Sequence, residues 1–540
     1  MLTLTILVPL IGALAILYVN EDRCRKVACV LGAIPLLLLI IAWIGFDTGA
    51  GAPVFQWVES YPWIPSLGVG WRMGVDGIAL AIATMSALLF VATIAWPAET
   101  QGRPRQYYAW FLFLEAVSLG VFLTLDLLLF YVFFDLSLVG LFFLIGRWGH
   151  GDAQRAALKF FVYTFAGSLA MLLAIIALVL TTDPVTFDMR ELIARQPLAG
   201  MDVRGALVLL GFVIGLGIKT PFVPLHTWLP PAHVDAPGPA SAILAGVLLK
   251  MGTYGLIRIP FSMMSATFAR YAFALGIVAV VSILWGALVA MAQRDLKRRI
   301  AYTSVNHMGY SLLGIAAAGA LVGGGEQAAR QMALTGATVE MVAHGLITGS
   351  LFLICGVFWQ RGREYDLQTY GGLAQVAPRL TGFAVLASFA SLGLPGLAPT
   401  RGHKQAEGAA TRQIDRLGRR QLPIAGEHPQ RDAQRVDKRQ KLDQRVHGAA
   451  MLEIAGQQQG VVACAVEDRR QRLLGEVWGA VRVLFLAADP TLRQMPNGPT
   501  AHDHVPRGRA HGAGPRAHVV RAVDDGPAGR ERVDHRRAAL

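Results

Sequence analysis

The chain has 540 residues, 54% of them hydrophobic, with a mean hydropathy of +0.46. That balance excludes a water-soluble globular protein of this size and points to a chain that crosses a membrane many times. The formal charge of +13 is uneven: residues 1–400 hold 24 Lys and Arg against 20 Asp and Glu, whereas residues 401–540 hold 25 against 16, so the basic balance belongs to the last quarter and is no nucleic-acid signature for the whole.

The first apolar run, MLTLTILVPLIGALAILYVN, has no basic residues before it and no small-residue cleavage site; Arg23, Arg25 and Lys26 follow it. It reads as a retained span rather than a cleaved signal. About twelve runs reach spanning length, ~17–25 residues: 2–19, 27–46, 76–96, 108–125, 127–146, 157–180, 205–222, 240–258, 271–292, 300–318, 336–358 and 379–396. The fold class expected is therefore an all-α polytopic membrane protein. Only Asp126 separates the fourth run from the fifth, which predicts an antiparallel pair. Gly211, Gly215 and Gly217 predict close packing of the seventh.

With the N-terminus outside, the inside loops carry most of the Lys and Arg, including Arg103, Arg105, Arg147, Arg155, Lys159, Arg294, Lys297, Arg298, Arg299, Arg361 and Arg363. The outside loops carry fewer, among them Arg72, Arg190, Arg195 and Arg258, and this bias orients the bundle. The 47–75 segment, with Trp57, Tyr61, Trp63 and Trp71, is then an outside loop lying along the interface. Cys24, Cys29, Cys355 and Cys464 have no metal-site spacing and read as incidental. They form no iron–sulfur framework, and no Gly-rich nucleotide fingerprint follows a strand. Cofactor binding by this chain is expected to be none.

The most informative stretch is 205–258, two apolar runs joined by a Pro-rich, His-containing connector, with Lys219 deep in one run and Lys250 deep in the other. A lysine at that depth costs roughly 2.5–3.5 kcal/mol on insertion scales. A helix may break inside a bilayer only within protein or beside a water-filled cavity. A break carrying an ionisable residue therefore marks an ion or proton path. Glu115 lies in the fourth span, Asp135 in the fifth, His307 in the tenth and His344 in the eleventh. A carboxylate facing an ammonium makes both tolerable and can switch a lysine's proton affinity, while histidine titrates near neutrality. A lone Asp–Lys pair could be structural, but this set spread over neighbouring spans predicts a proton relay. His226 and His233, in the connector, read as caps or loop polar groups, and Lys159 as a snorkelling residue.

The stretch IKTPFVPLHTWLPPAHVDAPGPASAILAGVLLKMGTYGLIR resembles the antiporter-like membrane subunits of respiratory complex I. QRDLKRRIAYTSVNHMGYSLLGI, MVAHGLITGSLFLICGVFWQR, GVDGIAL and LLLFYVFFDLSLVGLFFLIGRWGH fit the same family, nearest to the subunit M (chain 4) type. The resemblance covers about residues 1–398. It implies inverted repeats, each with a discontinuous helix, the first near 205–230. The divisions it implies are residues 1–106 with the outside loop, 107–258 as the first repeat, and 259–398 as a second, incomplete repeat. The implied function is proton translocation coupled to quinone reduction, in a bacterial inner membrane. Lys219 and Asp135 would form the gate, Lys250, His307 and His344 the onward relay, and Glu115 a further member. The family's fifth-span Glu is Asp135 here, one methylene shorter, so its pairing with Lys219 is expected to be longer or bridged by water. NAD, FMN, iron–sulfur clusters and quinone are implied in partner subunits, with the other membrane-arm subunits and the lipid bilayer as partners and no nucleic acid. The alternative is a subunit of a multisubunit Na+/H+ antiporter of the Mrp type. A purely structural scaffold is the reading from another class.

After Gly393–Gly396 the sequence leaves the family pattern in mid-span, and Arg, Gln, His and Asp dominate residues 399–540. No apolar run of spanning length recurs, so this tail is expected to be disordered or out of frame. The family's twelfth-span acidic residue is missing, and the chain as written is expected to insert without completing the second half of the relay. Re-reading the DNA across codons 390–410 is predicted to reveal a one- or two-base shift that restores a spanning continuation with an acidic residue. The same frame confirmed in the gene, with the full tail found in the mature protein by mass spectrometry, would sink this expectation.

Overall fold

The computed structural model describes residues 1–49, 51–199, 202–322, 327–370 and 372–392. The Gly393–Gly396 motif and the tail lie outside the described residues. The described chain is a helical bundle. Its elements in order are α1 (Leu2–Ala15), α2 (Glu21–Ile44), β1 (Gln56–Ile64), β2 (Val69–Val75), α3 (Gly77–Ala95), α4 (Pro104–Leu123), α5 (Leu127–Trp148), α6 (Ala153–Val179), α7 (Met189–Arg195) and α8 (Val203–Lys219). There follow α9 (Leu229–Asp235), then one continuous rod made of α10 (Gly238–Ile243), a π-turn (Leu244–Leu248), α11 (Leu249–Leu256) and a second π-turn (Ile257–Phe261). The bundle ends with α12 (Ser265–Ala292), α13 (Leu296–Ala320), α14 (Gln327–Gly362), α15 (Leu373–Val376) and α16 (Pro378–Ser391).

Among the described residues, eight helices are long and apolar enough to cross a membrane: α2, α3, α4, α5, α6, the Gly238–Phe261 rod, α12 and α14. The other expected spans also appear as helices, for stated reasons outside that set. The apolar helix Leu2–Tyr18 is short. Helix α8 stops at Lys219 because the chain breaks there, α13 begins with Lys297, Arg298 and Arg299, and α16 is only 14 residues long. The rod Gly238–Phe261 is wholly inside the bundle, whereas α2 and α12 are largely exposed. Helices α12, α13 and α14 pack in series, and α6 packs on α8 and α5.

The 47–75 segment, expected as a loop, contains strands. It is a two-stranded antiparallel hairpin, registered Gln56↔Val75 through Ile64↔Val69. Its aromatic residues bond helices rather than only lining an interface: Trp57 Nε1 donates to Ala42 O at 3.2 Å and Trp71 Nε1 to Thr3 Oγ1 at 2.9 Å. Glu59 accepts from the backbone N–H groups of Leu2 and Thr3, at 2.8 and 3.0 Å. Those amides open α1, where a helix has unsatisfied donors.

One ion cluster ties the hairpin to the bundle. Arg72 Nη1 of β2 meets Asp126 Oδ2 at 2.6 Å, and its Nε lies 3.4 Å from Asp188 Oδ2. Asp126 is fully buried and also caps α5 through Leu128 N and Leu129 N. Burial pushes the Asp188 carboxyl up, but hydrogen bonds from Arg190 and the Arg72 charge outweigh it and hold it below its ordinary value.

On the rod, Gly252 is where it closes on the end of α8: a side-chain Cβ there would come 2.6 Å from Leu216 O and collide with Thr220 Oγ1. Backbones approach this closely only where a residue has no Cβ.

Replacing Arg72 by Ala is expected to leave the buried Asp126 carboxylate without its cation and to destabilise the chain by about 3–5 kcal/mol. Thermal unfolding in detergent checks this. Arg190→Ala, which leaves Arg72 on both carboxylates, should lower the midpoint by much less, and equal losses would refute the assignment.

Candidate functional site

The expected relay residues sit on α4, α5, α8, α11, α13 and α14, and the fold brings most of them inward. Helix α8 ends at Lys219, whose backbone is followed by a non-helical connector of prolines before α9. Lys219 is buried to 1% exposure. Its Nζ donates to Ser137 Oγ at 2.9 Å and lies 4.8 Å from the Phe134 ring centroid.

The direct Lys219–Asp135 pair is not formed. Asp135 lies beside Tyr131 and Ser168, its Oδ1 has no hydrogen-bond partner among the described residues, and Lys219 acts on it only through space. Helical register explains the separation. Successive residues turn by about 100°, so Phe134 and Ser137 share the face of α5 turned to Lys219 while Asp135 is rotated toward α6. The first partner of the ammonium is Ser137.

Lys250 is fully buried. Its Nζ donates to Ala245 O at 2.6 Å and meets His344 Nδ1 at 2.6 Å. The first acceptor lies in the π-turn, where wider winding displaces carbonyls from the ordinary helical ladder. The second is reachable because the rod and α14 cross at Gly246 and Gly345, where a Cβ on Gly345 would come 3.0 Å from Gly246 O.

His344 and His307 face each other with ring centroids 5.1 Å apart. His307 Nδ1 lies 2.9 Å from Glu340 Oε1, and its Nε2 lies 3.3 Å from Ser391 Oγ. Lys250, His344, His307 and Glu340 thus form one contiguous buried chain. Glu115 does not join it. It is fully buried on α4 beside Gly32 of α2, and neither carboxyl oxygen has a hydrogen-bond partner among the described residues.

Other assignments change. Glu340 was missed, although its place four residues before His344 puts both on one face of α14. Lys297 is not a loop charge: it is fully buried, and its Nζ donates to Val234 O at 3.3 Å and to Ala236 O, carbonyls at the end of α9. Arg258 is likewise buried rather than a loop charge. His233 is not a loop cap: its ring is fully buried and stacks on Phe352 at 4.4 Å. His226 is buried beside Tyr302, 6.2 Å between ring centroids, and Lys159 is exposed as expected. Cys24, Cys29 and Cys355 are free.

A family described as NADH:quinone oxidoreductase/Mrp antiporter, TM, matches residues 124–403, which hold the broken helix, both lysines and the histidine pair. The chain belongs to this family. An NAD(P)H-quinone oxidoreductase chain 4 of Thermosynechococcus vestitus is 37% identical over 403 residues, 73% of each chain. Another, of Trichodesmium erythraeum, is 38% identical over 402 residues, covering 73% of this chain and 69% of that one. A chain in the structure of respiratory complex I from Thermus thermophilus with bound NADH superposes with a TM-score of 0.68 at 29% identity, over 77% of this chain and 84% of that chain. A chain of the Mrp complex from Dietzia sp. superposes at 0.64 with 23% identity, over 76% of this chain and 43% of that one, a likeness of fold alone. As a member of this family the protein is a multi-pass membrane protein.

Within the family member's polar chain, Glu340 and His307 should be coupled. Glu340→Gln and His307→Gln are each expected to lower stability, and together to lose less than the sum, by about 0.5–3 kcal/mol. Thermal unfolding of the two single variants and the double variant measures this. Strict additivity would show that the 2.9 Å contact carries no energy.

Proposed function

We propose that this chain is a proton-translocating membrane subunit of an NADH–quinone oxidoreductase. The observation that carries the reading is the buried run Lys250–His344–His307–Glu340, reached from a helix that breaks at Lys219. Neighbouring buried titratable groups, here joined by hydrogen bonds at either end and a ring contact between the two histidines, are what proton transfer needs, and a broken helix is where water can meet them. Relatives of the same family are named as chain 4 of NAD(P)H-quinone oxidoreductases.

In this reading Lys219 and Asp135 are the gate. With Lys219 on Ser137 and Asp135 turned to Tyr131 and Ser168 the charges are apart. Drawing the ammonium to the carboxylate would favour a held proton, and releasing it would favour its departure. Lys250 then passes the proton to His344 and His307. Glu115 is a further buried store. The chain itself is a translocase without electron-transfer centres; NAD, FMN, iron–sulfur clusters and quinone belong to partner subunits, and neighbouring membrane-arm subunits cover its flanks in the lipid bilayer. Residues 107–258 are the first repeat and 259–398 a second, incomplete one. The hairpin face lies outside a bacterial inner membrane, because the opposite loops hold more Lys and Arg. The Mrp-type Na+/H+ antiporter remains the second reading on fold likeness alone.

Lys219→Ala in the assembled complex is expected to abolish or strongly reduce NADH-driven proton uptake by inverted membrane vesicles while the subunit still inserts. Ser137→Ala, which removes only the resting partner, should keep uptake above the Lys219→Ala level. Undiminished uptake in Lys219→Ala would defeat the relay reading and favour a scaffold, and dependence of transport on sodium would favour the antiporter.

A further inference from the structure

One polar cluster continues along the rod from the relay residue Lys250, and two of its members, Tyr254 and Arg258, play no part in the relay. Lys250, Tyr254 and Arg258 follow one another at four-residue steps, so they share one helical face, each a turn apart. All three are buried, at 0%, 1% and 5% exposure. The face runs from the relay toward the end of the bundle that carries the hairpin, since Asp76, directly after β2, receives Arg258 Nη2 at 2.8 Å. Arg258 Nε donates to Tyr254 OH at 3.0 Å, and Tyr254 OH in turn donates to Phe122 O at 3.1 Å. The guanidinium also lies 5.0 Å from the Phe55 ring centroid. The second π-turn, Ile257–Phe261, carries Arg258 inside the protein instead of releasing it at a helix end.

An arginine cannot serve as a relay station, because its guanidinium does not lose its proton in proteins. It does the opposite: in a low-dielectric interior the part of its charge that Asp76, 2.8 Å away, does not cancel repels a travelling proton, as positive groups do in pores that exclude protons. A stretch of helix face leading from a proton-carrying lysine to the surface needs such a block, or the gradient leaks back.

We propose that Arg258, held by Asp76 and Tyr254, is a proton barrier that seals the face of the rod between Lys250 and the hairpin side. The barrier rests on the relay reading of Lys250, but it acts in the absence of turnover. It predicts that the charge of Arg258 matters more than its hydrogen bonds.

The test measures passive proton entry into membrane vesicles that carry the complete complex, after an imposed pH step and with no NADH present. Arg258→Met is expected to raise the leak several-fold per incorporated complex, and Arg258→Lys to stay near the unaltered protein. Asp76→Asn, which leaves the guanidinium in place, should also stay tight. Adding Lys250→Ala to Arg258→Met should remove the extra leak. If Arg258→Met does not enter the membrane, Arg258→Gln, which keeps hydrogen-bonding capacity without charge, carries the same expectation. Unaltered leak in either neutral variant overturns the barrier, as does failure of both neutral variants and Asp76→Asn to assemble, which would make the cluster a brace only. An unaltered leak in Arg258→Met beside lost uptake in Lys219→Ala refutes the barrier alone. Undiminished uptake in Lys219→Ala refutes the relay reading itself.

Discussion

A buried ammonium has to be hydrogen-bonded by protein atoms, and most of what is unusual in this bundle follows from that constraint. Ordinary helices offer nothing, because their carbonyls are already engaged in the backbone ladder. The chain solves the problem by disturbing its helices where the lysines lie. Lys250 reaches Ala245 O in a π-turn, and Lys297 reaches Val234 O and Ala236 O where α9 stops. A helix end exposes unpaired carbonyls and carries partial negative charge, so it suits a cation twice over. Lys219 ends α8 itself and takes a side-chain hydroxyl, Ser137 Oγ, in place of a carbonyl. Each irregularity is thus tied to a charge, and the charges are tied to the irregularities.

The same constraint explains which parts of the protein were legible in the sequence. Apolar run length reveals spans well, and the hairpin of α4 and α5 around Asp126 follows from one charged residue between two such runs. The break after Lys219 was legible because prolines and a lysine coincide there. Depth was less legible at span ends. Lys297 and Arg258 stand at the edges of apolar runs, where hydropathy reads them as loop charges. Only the return of α9 over Lys297 and the π-turn around Arg258 bury them. The β-hairpin was missed because its aromatic residues suit an interfacial loop equally well, and its pairing depends on an anchor far along the chain, the Arg72–Asp126 bond. Glu340 was hidden by its ordinary surroundings, since a single Glu in a long helix attracts notice only when its distance to a histidine on the preceding helix is known.

The contrast between the two halves of the candidate site carries the physical argument furthest. Around Lys250 the donors and acceptors touch, with separations of 2.6 Å to Ala245 O and His344 and 2.9 Å from His307 to Glu340. Around Lys219 the opposite charge is near but turned away, and a neutral hydroxyl holds the ammonium. A contact that is already made lets a proton pass but cannot decide when. A separated pair can decide, because closing it changes the free energy of the held proton, and the change is large where dielectric is low. Asp135 has a short arm, so in the proposed gate closure would come from movement of the longer lysine arm rather than from the carboxylate. The end of α8 is held, because Trp228 Nε1 donates to Ile218 O at 2.9 Å and Gly252 of the rod closes on Leu216 and Thr220, so the lysine side chain rather than the helix end is the part suited to move.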